Sequence, residues 1–245
     1  MTKDFTDRVV LVTGSSSGIG AETARQFAQL GATVIINSVR SVAAGEAVAA
    51  SIPRAWYLRG DISVEGEPEA MVAAVLERHA RLDVLVNNAG TTRVINHADL
   101  QTASLDVWRE IFEVNVFGTW ALSVAAMDAL SENRGAIVNV SSVAGLRPTG
   151  SSIPYASSKA AINHMTVLLA KVVGPSVRVN AVAPGLIDTP WTESWDAVRG
   201  AVQAIAPLKR SGTPADVADV IVALASSPYV TGQVVAVDGG LTLSS

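Results

Sequence analysis

Tyr155 and Lys159 stand four residues apart at the end of the run Asn139 to Lys159, NVSSVAGLRPTGSSIPYASSK. Pro154 precedes them and Ala160-Ala161-Ile162 follow. Proline suits the first position of a helix, where its missing N–H would have no partner. A helix from about Pro154 therefore puts the phenol and the ammonium on one face. A phenol with an ordinary pKa of about 10 is a poor proton carrier at neutral pH. A neighbouring ammonium stabilises the phenolate and draws that value toward the range in which a general acid or base works. Ser142 adds a hydroxyl where the apolar run from Ala136 to Val140 ends. Such strand ends are where open α/β sheets bind ligands. Taken alone, the Tyr–Lys pair fits an exposed amphipathic helix equally well, so its meaning depends on the elements around it.

Those elements alternate. Short β-rich runs lie at Val9–Thr13, Thr33–Asn37, Ala55–Arg59, Val84–Asn87, Ala136–Ser141, Val177–Val182 and Val234–Val237. Helical patterns lie between them, among others at Gly18–Leu30, Val64–His79, Leu105–Leu130, Pro154–Val173 and Pro214–Ala225. Nearly continuous apolar strands alternating with helices predict a parallel sheet covered on both faces. No linker, repeat or low-complexity tract divides the chain. The fold class expected over residues 1–245 is α/β, one Rossmann-like doubly wound domain.

Composition narrows the chemistry. The chain has 245 residues, 49% of them hydrophobic and 16% charged, with a net charge of −4. Disorder is excluded by that hydrophobic content, and the absence of a basic cluster argues against nucleic acid or an anionic membrane as partner. There is no cysteine, so disulfides, thiolate metal sites and thiol catalysis are excluded. His79, His97 and His164 are scattered without metal-ligand spacing, and no metal is expected. No apolar run reaches the ~20 residues of a membrane span. With a polar N-terminus lacking signal-peptide character, a cytoplasmic location is expected.

The first strand runs into Thr13-Gly14-Ser15-Ser16-Ser17-Gly18-Ile19-Gly20, and a helix follows at once. Strand, glycine-rich turn and helix bring backbone N–H groups and a positive helix end to a phosphate. The spacing is G-x-x-x-G-x-G, which departs from the general G-x-G-x-x-G dinucleotide fingerprint.

These motifs together, TGSSSGIG at 13–20, NNAG at 87–90, Asn115, Ser142, YxxxK at 155–159 and Pro184-Gly185, resemble the short-chain dehydrogenase/reductase family. They occur in the family's order across residues 9 to about 240. The resemblance implies a seven-stranded sheet, a nicotinamide cofactor and a homotetramer or dimer. It implies cofactor contacts from Gly14, Ser16, Ser17, Gly18, Ile19 and Gly20, from Asn88, Ala89 and Gly90 beside the adenosine ribose, and from Asp61 and Ile62 at the adenine. Asp61 alone reads equally as an acid near a helix start. Pro184, Gly185, Ile187 and Thr189 are expected to border the nicotinamide, with Lys159 on its ribose. Catalysis is assigned to Asn115, Ser142, Tyr155 and Lys159. Tyr155 passes a proton to a carbonyl oxygen that Ser142 holds, and Asn115 positions a water that continues the relay.

The second strand ends in Ile36-Asn37-Ser38-Val39-Arg40. An acidic residue there would bind the 2′-OH of NAD, whereas an arginine suits the 2′-phosphate of NADP. Ser38 stands where NAD-preferring members usually carry Asp, and Arg40 follows, so with Asn37 these residues favour NADP(H), with NAD(H) the other possibility. Arg40 otherwise simply stands in solvent. A substrate lid is expected at about 188–210, with Val94, Leu146, Ile153, Trp191 and Trp195 lining an apolar pocket. The resulting expectation is an oxidoreductase acting on a hydrophobic small-molecule ketone or secondary alcohol. The alternatives are a 3-oxoacyl carrier-protein reductase and, less favoured because Tyr155 and Lys159 are both present, a non-catalytic NADP-binding regulatory protein.

Overall fold

The computed structural model describes residues 4–244 and contains one seven-stranded, all-parallel sheet in the order β3-β2-β1-β4-β5-β6-β7. The strands are β1 (Val9–Val12), β2 (Thr33–Ser38), β3 (Ala55–Arg59), β4 (Val84–Asn87), β5 (Ala136–Val140), β6 (Arg178–Pro184) and β7 (Val234–Val237). Each β-rich run of the sequence becomes a strand, with ends shifted by a residue or two.

Because successive strand residues point to opposite faces, each strand feeds two cores. Val10, Val12, Val34, Ile36, Val84, Val86 and Val138 enter one cluster, with Ala24 and Phe27 of α1 (Gly18–Gln29) and Ile221 of α9 (Pro214–Ser226). Val9, Leu11, Ile35, Leu85 and Ile137 enter the other, with Val75 of α3 (Glu67–His79) and Leu122 of α5 (Thr119–Ala125). Burial of each such side chain is worth roughly 1.5–3 kcal/mol, and both cores depend on helices that only parallel crossovers can place. The strand order reverses between β1 and β4, and at that switch point the strands' C-terminal ends open a crevice.

The helical pattern differs from expectation in four places. The helix expected from Val64 starts at Glu67, because Gly66 takes a left-handed φ of 82° and Pro68 follows. The stretch Leu105–Leu130 is not one helix: α4 (Leu105–Phe112) passes into a π-helical segment, Glu113–Gly118, before α5 and α6 (Met127–Glu132). Two helices appear that the sequence patterns above do not include, α2 (Val42–Ala50) and α8 (Asp196–Ile205). The long helix α7 (Ile153–Val173) carries Tyr155 and Lys159. Among the described residues no helix is long and apolar enough to cross a membrane, and no cluster of His, Asp or Glu is arranged to hold a metal.

Candidate functional site

The crevice at the switch point is built by hydrogen bonds that join three strand ends. The Thr13 hydroxyl accepts the backbone N–H groups of Asn88 and Ala89, both at 3.0 Å. The Asn88 amide returns two bonds to the carbonyls of Thr13 and Gly14, at 2.9 and 3.0 Å. Asn37, buried at the end of β2, donates to the carbonyls of Leu58 and Gly60. Its backbone N–H bonds the Ser15 hydroxyl at 2.9 Å. Gly20 belongs to this framework as well: a Cβ there would lie 2.5 Å from the Asn88 amide nitrogen and 2.7 Å from the Gly14 carbonyl oxygen. Its missing side chain lets α1 seat directly on the turn.

At the start of α1 the Ser17 side chain makes no capping bond. The first-turn N–H groups therefore lack a side-chain partner, and Ser17, Gly18 and Ile19 line the crevice. Open amides at a positive helix end form an anion site. A dinucleotide pyrophosphate fits these residues.

Opposite this wall stand the groups that could do chemistry. Ser142 caps the short 3-10 turn Val143–Gly145, its hydroxyl accepting the Ala144 N–H at 3.1 Å and so keeping its own proton free to donate. That turn lies flat on α7: a Cβ at Gly145 would sit 2.6 Å from the Lys159 carbonyl carbon. The start of α7 is fixed by Ser152, fully buried, whose hydroxyl accepts the Tyr155 N–H at 3.3 Å. Lys159 is 5% exposed and donates from Nζ to the Val140 carbonyl at 2.9 Å, the last residue of β5. Burial without a counter-charge lowers its pKa from 10.5 to about 8.

One expectation needs correction here. Lys159 does not pull the Tyr155 phenol down in this structure. Its Nζ lies 5.7 Å from the ring centre and is held by the strand carbonyl. Burial instead pushes the phenol above its ordinary value, opposed by a hydrogen bond from Ser142.

Ser142, Tyr155 and Lys159 share one cavity of about 570 Å³ with Gly14, Ser17, Gly18, Ile19, Asn88, Ala89, Gly90, Pro184, Gly185, Ile187 and Thr189. Trp191 and Trp195 also line it. The remaining expected residues lie elsewhere. Asn115 is buried behind the wall, where its Oδ1 accepts the Thr91 N–H at 2.8 Å and its Nδ2 donates to the Thr91 carbonyl and the Ser158 hydroxyl, both at 3.0 Å. The π-segment turns it toward these partners. Ser16 and Gly20 sit outside the lining. Ile62 is core, packed where Gly118 leaves room. Ser38 is buried against the Tyr57 hydroxyl at 3.0 Å, whereas Arg40 is exposed. Asp61 borders a second, smaller cavity with Val39, Arg59 and Glu67, its carboxylate accepting the Ser63 N–H and hydroxyl.

Of the expected substrate-pocket residues, Val94, Leu146 and Ile153 do not line the cavity. The Ile95 N–H bonds the Ser151 carbonyl at 2.8 Å, which sets Ile95 inward and leaves Val94 71% exposed. Leu146 follows the 3-10 turn and faces outward, and Ile153 begins α7 half-buried. Their place is taken by the apolar face of α8, Val198, Ala201, Val202 and Ile205, and by Arg147, Leu241 and Thr242. The α8 face was visible as apolar residues at i, i+3, i+4 and i+7. Nothing in the linear sequence brings residues 241–242 to this cavity.

A family model described as enoyl-(acyl carrier protein) reductase matches residues 14–242. A Streptomyces violaceoruber protein whose name assigns it as ketoacyl reductase 2 of the granaticin polyketide synthase is 53% identical over 239 residues, covering 96% of each chain. The 3-oxoacyl-[acyl-carrier-protein] reductase FabG of Thermotoga maritima is 39% identical, over 96% of this chain and 98% of that protein. A solved Brucella melitensis short-chain dehydrogenase/reductase, titled glucose/ribitol dehydrogenase, superposes with a TM-score of 0.92 at 32% identity, covering 98% of this chain and 99% of that one.

Proposed function

Because the chain belongs to the short-chain dehydrogenase/reductase family, we propose that it reduces a ketone on an apolar small molecule to the secondary alcohol, using NADP(H) in preference to NAD(H). The bound nicotinamide supplies the hydride. The chain's own part is at the carbonyl oxygen. Ser142 donates a hydrogen bond to it, and Tyr155 gives it a proton. Donors set where negative charge develops act as an oxyanion hole does. Solvent restores the proton to the phenol, and Lys159 would hold the nicotinamide ribose. Asn115 acts through position, holding Thr91 and α7 in register. The observation that carries this reading is that Ser142, Tyr155 and Lys159 face the open amides of Ser17–Ile19 across one cavity.

Replacing Tyr155 by Phe tests it. Turnover should fall by at least about 100-fold, while NADPH affinity, followed by tryptophan fluorescence, stays close to wild type. Near-normal turnover would remove Tyr155 as the proton donor. The preference for NADP(H) rests on Ser38, which brings no carboxylate to the ribose, and on Arg40, which forms no ion pair among the described residues. Arg59, donating to the Val39 carbonyl at 3.4 Å, adds a second cation nearby. Tighter binding of NADH than NADPH would refute this assignment.

A second reading, reduction of a 3-oxoacyl group on a carrier protein, is supported by the names of the two curated relatives. Activity on a carrier-bound thioester without activity on free ketones would establish it over the first. We further assign the protein to the cytoplasm as a homo-oligomer. Exposed Phe117, Trp120, Val124, Leu168 and Val172 supply apolar surface for subunit contact.

A further inference from the structure

Among the described residues, two that line the main cavity carry charge, Lys159 and Arg147, and none is Asp or Glu. Lys159 has a place beside Tyr155. Arg147 has none in the chemistry above. It lies five residues beyond Ser142, on the exposed loop between the 3-10 turn and α7. Among the described residues its guanidinium donates to two carbonyls, Leu146 at 3.1 Å and Thr242 at 3.4 Å, and so ties that loop to the C-terminal turn.

Like Arg40, and unlike three other arginines near the surface, Arg147 is not neutralised by an acid. Arg93 pairs with Glu110, Arg199 with Asp188 and Arg210 with Asp216. Arg147 forms no ion pair among the described residues. Two carbonyl bonds leave further N–H donors of the planar fork open, in the geometry that takes a carboxylate or phosphate. The cavity's other wall, from Trp191 and Trp195 to Val202 and Ile205, is apolar. The lining thus has a proton donor at one place, a free cation at another and an apolar surface for the carbon chain.

We infer that Arg147 is a specificity-determining residue, selecting ketones whose apolar chain carries a carboxylate or phosphate. This deepens the reading given under Proposed function and rests on it for the ketone. Because Arg147 is exposed, its attraction is open to screening by salt.

Binding and turnover separate the two ideas. Octanoate and 1-octanol are titrated against tryptophan fluorescence in wild type, Arg147→Ala and Arg147→Lys. Wild type should bind octanoate about tenfold more tightly than octanol, the expectation for one charge-assisted contact. The Ala variant should lose that preference, Lys should restore part of it, and added salt should weaken it. A 3-oxo acid, its methyl ester and a 3-oxoacyl pantetheine phosphate thioester are then compared as substrates. Arg147→Ala should raise KM about tenfold for the charged members and little for the ester. A larger effect on the thioester than on the free acid assigns the anion as phosphate; the reverse assigns it as carboxylate. Equal changes for charged and neutral compounds, or a wild type without preference, would overturn the role of Arg147. Octanoate preference without turnover of any ketone would overturn the ketone reading and leave the anion site standing.

Discussion

The two ends of the sheet treat buried charge in opposite ways. At the N-terminal end, Asp83 is 2% exposed just before β4. It receives two bonds from Arg81, at 2.8 and 2.7 Å, one from Arg8 at 2.8 Å and one from the Val9 N–H at 2.9 Å. Burial would raise its pKa, but these donors together outweigh burial and hold it below the ordinary carboxylate value. At the C-terminal end, Lys159 is also deeply buried and meets a neutral carbonyl, with no acid among the described residues lining its cavity. One charge is fully compensated and holds two strands together. The other is kept uncompensated, which is unfavourable for folding and suits a site that awaits an anionic or polar ligand.

The contrast is broken most directly at Lys159. Replacement by Met should lower turnover by about 100-fold or more, while the cofactor-free protein gains about 1–2 kcal/mol in urea denaturation because a buried unpaired charge is gone. Lower stability in that variant would mean that the Val140 bond outweighs the desolvation. The mirror experiment is Asp83→Asn. It should lose about 3 kcal/mol of stability by leaving Arg8 and Arg81 without their shared acid, yet leave NADPH affinity unchanged. A matching loss of affinity would show that the two ends are coupled.

A smaller effect is expected between these extremes. Asn115→Ala strips three hydrogen bonds from Thr91 and Ser158 and should cost about 1–3 kcal/mol, with a rise in KM for cofactor as Gly90 shifts. Stability alone changing, with kinetics intact, would restrict Asn115 to the framework. The subtlest test is pH. With a folded pKa of about 8 and an unfolded value of 10.5, Lys159 is protonated in both states below pH 8. Between these values the unfolded chain binds more protons, so stability should rise with pH across that window and level off above it. Lys159→Met should lack this component. Asp83 acts in the same direction at acid pH: its contribution is complete above 3.8 and is lost as pH falls through its lower folded value.

Much of the architecture was legible because β strands such as VVLV and AIVNV are apolar on both faces, a pattern that a sheet sandwiched between helix layers demands. The turn at 13–20 and the Tyr–Lys pair were legible because their spacing is local. What escaped was long-range or masked by composition. VAAGEAVAA, which forms α2, is apolar except at Glu46 and carries no stripe by which a surface helix is recognised. Val94 and Leu146 have the right polarity for a pocket, but which way each faces is decided by Ser151 and the 3-10 turn. Arg147 reaches the cavity edge through a carbonyl almost a hundred residues away, a contact no spacing rule anticipates.

The wide turn at Glu113–Gly118 ties the chain's history to its geometry. Each residue of a helix advances its neighbours by about 100°, so loss of one codon within that turn would heal the helix and swing everything on one side of it to a new bearing. The residues before and after the turn would change their relative bearing, and Asn115 would leave Thr91. Here the number of residues, as much as their kind, sets where Asn115 stands.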